Sequence, residues 1–348
     1  MLKRGIPLTV MAVGSSGLGK TSFINTLCQK PVLPPKDYSG ISRPMENQPA
    51  ETLDIKSFNV DIEEDGMRVS LSIIDTPGFG ESIDNQKCFD KILNYVEMQY
   101  DNLFLPKKQE LSATLAFKII RIHALLYFIT PTGHGLRELD IELMKKLGPR
   151  VNIIPIIGKA DSFTVEELKA FKSRIMEDID HYRIPIYNFP YDPVEDDEET
   201  IEQNEELKSM LPFAVISHEQ EITEKREVLR VRKYPWGIID VDSADVCDTA
   251  SLRFMLFNSH MTDLKLLTHD HLYENYRTEK LSRTGEYDDF ESYGGEDQIR
   301  AEQEKMRQEK EKLLHERQQL EREREEQKRM NREKEEMYRA LERQNSTN

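Results

Sequence analysis

The sequence predicts an α/β fold in three layers with a mostly parallel central sheet, an extension at the C-terminal side of that domain, and then a charged C-terminal helix. Three observations lead there. A strand, a glycine-rich loop and a helix follow one another at the start of the chain. Short buried apolar runs then alternate with amphipathic stretches of helical period, as in sheets whose strands are joined through helices. From Glu296 onward the composition changes to mixed acidic and basic residues with a sparse apolar row.

Leu8–Val13 reads as a buried strand, and Thr21–Cys28 as a helix with Phe23, Ile24 and Leu27 on one side. Between them, Gly14-Ser15-Ser16-Gly17-Leu18-Gly19-Lys20-Thr21 fits the phosphate-binding pattern G-x-x-x-x-G-K-[ST] without a gap. Its glycines let backbone N–H groups curl around an anion, and the helix N-terminus adds partial positive charge. Lys20 reaches the β- and γ-phosphates and Thr21 can hold Mg²⁺.

Pro31–Glu51 is rich in Pro, Ser, Asn and charge and reads as a long irregular loop, in the place of a segment that closes over a γ-phosphate. Phe58–Ile62 and Val69–Ile74 are strands joined by a turn containing Asp65-Gly66. The second strand ends in Asp75-Thr76-Pro77-Gly78. A strand-end Asp can hold Mg²⁺ through water, and the Gly78 N–H can donate to a γ-phosphate. Together with the first loop, this makes a P-loop GTPase three-layer fold the expectation. Phe79 follows, where fast switch enzymes carry a water-orienting Gln. An apolar ring cannot polarise water, so slow or absent hydrolysis is expected.

Asn85–Leu103 and Gly135–Leu147 are helical, and Ile122–Ile129 is a buried strand leading into Pro131-Thr132-Gly133-His134-Gly135. Val151–Ile157 is a further strand ending in Gly158-Lys159-Ala160-Asp161, at the place of the guanine-reading N-K-x-D motif. The Asp carboxylate accepts from N1–H and N2–H₂ of guanine, which adenine does not offer. Lys159 can lie along the base. Gly158 replaces the usual Asn and removes one polar brace. Thr164–Tyr182 is an amphipathic helix with a capping box from Thr164 and Glu167. Ile184–Phe189 reads as a short strand, Ile201–Met210 as a helix, Phe213–Ile216 as a core strand, Glu219–Lys233 as a hairpin or charged excursion, and Ser251–Tyr276 as a long helix.

Net charge is −16, yet residues Glu296–Asn348 hold 15 acidic and 14 basic residues, so the acidic excess lies on the globular part. This argues against a nucleic-acid binder. Three scattered cysteines, no leader pattern and no apolar run long enough for a membrane span point to a reducing, cytoplasmic setting. Lys3 and Arg4 are the only bases in residues 1–7, short of a polybasic membrane patch. His269-Asp270-His271 diverge on a helix and make no metal site, leaving Mg²⁺ as the expected metal. In the tail, Ile299, Met306, Leu313, Leu320 and Leu341 fall at heptad position a, interrupted by Gln327 and Lys334, while position d holds Glu302, Glu309, Glu316 and Glu323 and then Met330 and Met337. A two-stranded coiled coil needs both rows apolar. A weak, partner-assisted coiled coil is favoured, and a solitary helix held by i,i+4 ion pairs stays open.

Several phrases go beyond any generic GTPase: Phe23–Leu27 after the phosphate loop, Ile74–Gly80, Pro131–Leu136, Ile153–Asp161, Pro185–Phe189, and Arg232-Lys233-Tyr234-Pro235-Trp236-Gly237. With them the chain resembles the septin family over about Leu2–Ser282, most of all fungal septins of the rod-end or sporulation-specific kind. The resemblance implies a short N-terminal segment at 1–7, a GTP-binding domain at 8–282 with a septin-specific element at about 213–282, a linker at 283–295 and the helix at 296–345. It also implies a subunit that binds GTP or GDP and joins other septin subunits in hetero-oligomeric rods and filaments. Gly14, Ser15, Ser16, Gly17, Leu18, Gly19, Lys20, Thr21 and Ser22 would hold phosphates. Asp75 and Gly78 would be switch residues. Lys159, Ala160, Asp161, Ser217 and Arg232 would surround the base. Thr52 would be the threonine of catalytically active members, and His134, Glu167 and Trp236 would face the neighbouring subunit. Ser217 stands where septins carry a glycine.

Three functional classes follow. A filament-forming scaffold of cytokinesis, septation or sporulation would sit at a septin ring, division septum, bud neck or forming spore membrane, with peripheral plasma-membrane association. A switch GTPase would require efficient turnover, and a P-loop ATPase or kinase would require ATP binding at least equal to GTP.

Overall fold

The structure is a computed structural model and describes residues 5–33, 55–64, 66–76, 78–80, 85–104, 121–191, 197–224, 227–243 and 246–284. Thr52, most of the 31–51 loop and the tail therefore lie outside the described residues. The chain divides into two compact units, Met1–Arg277 and Thr278–Asn348. Of the second, the described part is the end of a helix, where Ser282 Oγ donates to the Glu279 carbonyl at 2.8 Å.

In the first unit, six strands form one sheet. These are β1 (Ile6–Gly14), β2 (Lys56–Glu64), β3 (Met67–Asp75), β4 (Ala124–Ile129), β5 (Ile153–Gly158) and β6 (Phe213–Val215), in the order β2-β3-β1-β4-β5-β6. All neighbours run parallel except β2 against β3. Every residue of β4 and of β5 is buried, as expected for central parallel strands covered on both faces. Strand β2 is the edge and is largely exposed, so its charged residues reach water while its ladder is made through β3.

The helices are α1 (Lys20–Cys28), α2 (Gln86–Phe104), α3 (Glu138–Leu147), α4 (Val165–Tyr182) and α5 (Glu198–Ser209). The capping box at α4 is present: the Glu167 N–H donates to Thr164 Oγ1, and the Thr164 N–H donates to the Glu167 carboxylate. Leu143, Leu147, Phe171 and Ile175 bury one face each of α3 and α4 against the sheet. After α5 a second sheet of three antiparallel strands, β7 (Gln220–Glu224), β8 (Glu227–Tyr234) and β9 (Gly237–Asp240), realises the expected hairpin and adds a strand to it.

Two expectations need correction. Ile184–Phe189 is not a strand, although the Tyr187 N–H donates to the Ile153 carbonyl. Its aromatic residues are instead side-chain anchors, Tyr187 and Phe189 both meeting the His260 ring. The helix expected over Ser251–Tyr276 is broken by π-turns at Met255–Ser259 and Thr268–Tyr273 into α6 (Thr249–Phe254), α7 (Met261–Leu267) and α8 (Glu274–Thr284). Arg253 in α6 ties this region to the sheet edge. It donates to the Glu64 carboxylate and to the Leu27 carbonyl, and lies over the Phe257 ring.

Candidate functional site

The site lies where β1, β3 and β5 end. Gly14 closes β1 so near to β4 that a Cβ there would stand 2.7 Å from the Phe128 carbonyl oxygen. At the end of β3, a Cβ on Gly78 would stand 2.3 Å from Ser16 Cα. Both contacts are with backbone, so neither position accepts a side chain, and the two loops share one space. Backbone bonds fasten them further. Ser15 bridges Phe79, and the Ser16 N–H donates to the Phe79 carbonyl at 3.1 Å.

Helix α1 then starts at Gly19 in a left-handed conformation, without a capping side chain or an acidic residue in its first turn. Its first N–H groups face the loop as anion donors. Lys20 is buried, its Nζ donating to the carbonyls of Gly14 at 2.7 Å and Ser15 at 2.8 Å. The ammonium is thereby placed inside the loop. Thr21 Oγ1 donates to Asp75 Oδ2 at 3.4 Å. A hydroxyl and a carboxylate are hard-oxygen ligands of the kind that could hold Mg²⁺. Thr76 Oγ1 donates to the Ala12 carbonyl at 2.7 Å and holds the β3 end in register with β1.

Phe79 is a core residue. It is 3% exposed and packs edge-on against Phe89 at 5.4 Å between ring centroids. The position that a water-orienting side chain would need is thus filled by a ring turned into the core.

At the other end of the site, β5 delivers Gly158, Lys159, Ala160 and Asp161. Lys159 is exposed and in the left-handed region, which turns the chain so that Asp161 follows in a 3-10 turn. Asp161 Oδ1 is buried and has no hydrogen-bond partner among the described residues. Its Oδ2 stands 3.6 Å from Arg232 Nε, which comes from β8. A buried carboxylate oxygen without a donor is costly, and the N1–H and N2–H₂ edge of guanine would satisfy it. Ala160 packs against Ala214 and Ile216. Ser217, just beyond β6, is half-buried, and its Oγ would lie 3.8 Å from a Cβ on Gly19, so it borders the end of the phosphate loop. Asp248 holds the start of β6, accepting from the Ala214 N–H at 2.7 Å and from Lys172 Nζ at 2.6 Å. His218 donates its N–H to Thr26 Oγ1 at 3.0 Å and so pins this segment to α1.

The three residues expected to face a neighbouring subunit are all exposed. His134 stands in the loop after β4 and Glu167 in the first turn of α4. Trp236, in the β8–β9 turn, is 81% exposed and stacks on Tyr234 at 5.0 Å. A lone Trp ordinarily enters a core; this one does not. Thr52 lies outside the described residues. Sequence reasoning missed Arg137, whose Nη2 donates to Ser15 Oγ at 2.6 Å while its Nε donates to Asp140 Oδ2 at 2.8 Å. The i,i+3 spacing of Arg137 and Asp140 was a readable signal; the burial of Asp140 was not.

Comparison with known proteins gives a consistent result. A family model described as Septin matches residues 4–289. Septin homolog spn3 of Schizosaccharomyces pombe is 48% identical over 281 residues, covering 80% of this chain and 74% of that protein. Cell division control protein 11 of Saccharomyces cerevisiae is 46% identical over 284 residues, covering 81% and 68% respectively. Septation protein 7 of Candida albicans is 39% identical over 345 residues, 85% of this chain and 51% of its own length. Among solved structures, that of Cdc11 from Saccharomyces cerevisiae aligns with a TM-score of 0.52 at 37% identity, covering 79% of this chain and 100% of the solved one.

Proposed function

The chain belongs to the septin family, and on that premise we propose that it is a guanine-nucleotide-binding subunit that joins other septins in hetero-oligomeric rods and filaments. Such rods would serve as a scaffold in cytokinesis, septation or sporulation, and the names of two relatives, Septation protein 7 and Cell division control protein 11, support that setting. The subunit would then be found at a septin ring, division septum, bud neck or forming spore membrane.

The observation that carries the nucleotide reading is Asp161 Oδ1, buried at the end of β5 and without a donor among the described residues. Guanine supplies the missing donors. Lys159 would lie along the base, with Arg232 and Ser217 beside it. The loop from Gly14 to Ser22 would hold the phosphates through backbone N–H groups and Lys20. Thr21 and Asp75 would hold Mg²⁺, which when bound neutralises charge between the β- and γ-phosphates. Gly78 would offer its N–H to the γ-phosphate. Hydrolysis would be slow or absent, because Phe79 is turned into the core and no side chain there can orient water.

The exposed Trp236 supports the assembly half of the proposal, together with His134 and Glu167. The experiment is co-expression with related septin subunits, isolation of the complex, and chromatography of the nucleotide released on denaturation. GTP retained would mean a structural site, and GDP a site that has turned over. A chain that stays monomeric and nucleotide-free with every candidate partner would sink the proposal.

A further inference from the structure

One buried ionic group outside the expected nucleotide ligands reaches the phosphate loop. Asp140, in the first turn of α3, has no exposed surface. A buried carboxylate is tolerated only when paired and hydrogen-bonded, and Asp140 is both. It accepts from Tyr127 Oη at 2.9 Å, from Arg137 Nε at 2.8 Å and from Arg137 Nη2 at 3.1 Å. The two-point grip fixes the guanidinium plane. That plane aims Nη2 at Ser15 Oγ, 2.6 Å away, in the second residue of the phosphate loop.

Arg137 also ends the segment that presents His134. Helix α4 holds that segment at two points. Arg174 Nη1 donates to the Gly133 carbonyl at 2.6 Å, and the Leu136 N–H donates to Asp178 Oδ2 at 2.8 Å. Gly135 lies close against the same carboxylate, since a Cβ there would stand 2.5 Å from Asp178 Oδ2. His134 is exposed between the two anchors. The segment 131–136 is therefore suspended between α4 and a residue bonded to the phosphate loop.

We propose that Arg137 is a positioning residue that couples the phosphate loop to the exposed 131–136 segment, so that a nucleoside phosphate held by the loop changes how His134 is presented. The inference rests on reading Gly14–Thr21 as the nucleotide site. An anion drawn onto the loop N–H groups sets the position of Ser15. Ser15 Oγ sets that of Arg137, and Leu136 is the adjoining residue. The bond is charge-assisted and partly shielded, with the Arg137 side chain 35% exposed, so its loss is felt at both ends.

Hydrogen–deuterium exchange of the full chain, with and without saturating GDP and Mg²⁺, tests this. In the wild type, GDP should slow exchange both at residues 14–21 and at 131–136. In Arg137→Met the slowing at 14–21 should persist, while the GDP-dependent slowing at 131–136 should shrink roughly 10-fold, the scale of one charged hydrogen bond. Arg137→Met leaves Asp140 without its cation and could fail to fold. Ser15→Ala removes only the hydroxyl acceptor and should shrink the same increment, read as the ratio between the two segments. A merely structural role for Arg137 would raise exchange at 131–136 equally with and without GDP. The coupling is overturned by that result, by full GDP-dependent slowing at 131–136 in a folded variant, or by a wild type in which GDP slows 14–21 alone. A wild type in which GDP slows neither segment would remove the nucleotide-site reading itself, and this inference with it.

Discussion

Arg232 Nε stands 3.6 Å from Asp161 Oδ2, and the Arg232 guanidinium lies over the Tyr234 ring at 5.5 Å. Tyr234 in turn stacks on Trp236. A short ladder thus runs from the acid at the end of β5 to the most exposed aromatic of the second sheet. Only one oxygen of Asp161 faces the arginine. The other has no donor among the described residues.

Asp161→Asn tests whether this carboxylate reads the base. The amide keeps one acceptor but offers N–H₂ where guanine offers N1–H or N2–H₂. Loss of charge-assisted bonds of about 1.5–3 kcal/mol each predicts a fall in GTP affinity of roughly 10- to 150-fold per bond. Xanthine, with a carbonyl at C2, should be tolerated better by the variant than by the wild type. Titration calorimetry with GTP, ATP and XTP reads all three. Unchanged preference for GTP would mean that Asp161 does not read the base.

Gly158→Asn restores the usual first residue of the guanine motif and should nevertheless weaken the protein. A Cβ there would lie 3.0 Å from the Leu18 carbonyl oxygen and 3.3 Å from Phe128 Cδ1. The first of these is backbone of the phosphate loop, so the loop itself must give way. Overpacking of this kind costs about 1–3 kcal/mol. Urea denaturation should show that loss, and GTP binding should fall rather than rise. A gain in affinity would show that the loop accommodates the side chain.

The contrast between Asp161 and Gly158 shows what was readable in the sequence. The phosphate loop, the β3 end and the β5 end were legible because each is a local motif in a strand–turn context. The position of Asp161 followed from that context alone. The tight approach of Gly158 to Leu18 was not legible, because it depends on how β5 lies across the loop after β1. The same holds for Asp140. Its burial is set by β4 and α3 packing together, and no local pattern distinguishes it from an exposed first-turn acid. The π-turns within Ser251–Tyr276 escaped because apolar residues continue at helical spacing through them. Trp236 went the other way: a lone Trp suggests a core ring, the family phrase around it implies a place at a subunit contact, and the ring is exposed.

Stability should fall as pH is lowered, through one half-buried histidine, His123. His123 accepts the Thr9 N–H on Nδ1 at 2.9 Å, and burial, reinforced by Lys265 and Arg121, pushes its pKa down to about 3. The unfolded chain binds a proton near the ordinary value of 6.5 while the folded chain does not. Stability from this group is therefore complete above 6.5 and is lost as pH falls from 6.5 toward 3, at about 1.4 kcal/mol per pH unit. Urea midpoints at pH 7.5, 6.5 and 5.5 should show the slope begin near 6.5. His123→Asn keeps an acceptor for Thr9 and should flatten that interval. An identical slope in the variant would assign the loss to other groups.

Trp236→Ala should separate folding from assembly. The side chain is 81% exposed and its main intramolecular partner is the stacked Tyr234. Such a stack contributes about 0.5–1.5 kcal/mol, so the isolated chain should unfold within roughly that margin of the wild type. Phe79→Ala is the comparison. That ring is 3% exposed, and its removal should cost about 3–5 kcal/mol. If Trp236 anchors the contact with a neighbouring septin, its removal should weaken association by about 2 kcal/mol or more, close to 30-fold. Analytical ultracentrifugation of the co-expressed complex measures the second quantity and urea denaturation the first. Wild-type association by the alanine variant would mean that the ladder from Asp161 ends in solvent rather than at a partner. A loss of stability as large as that of Phe79→Ala would mean that the ring serves the fold.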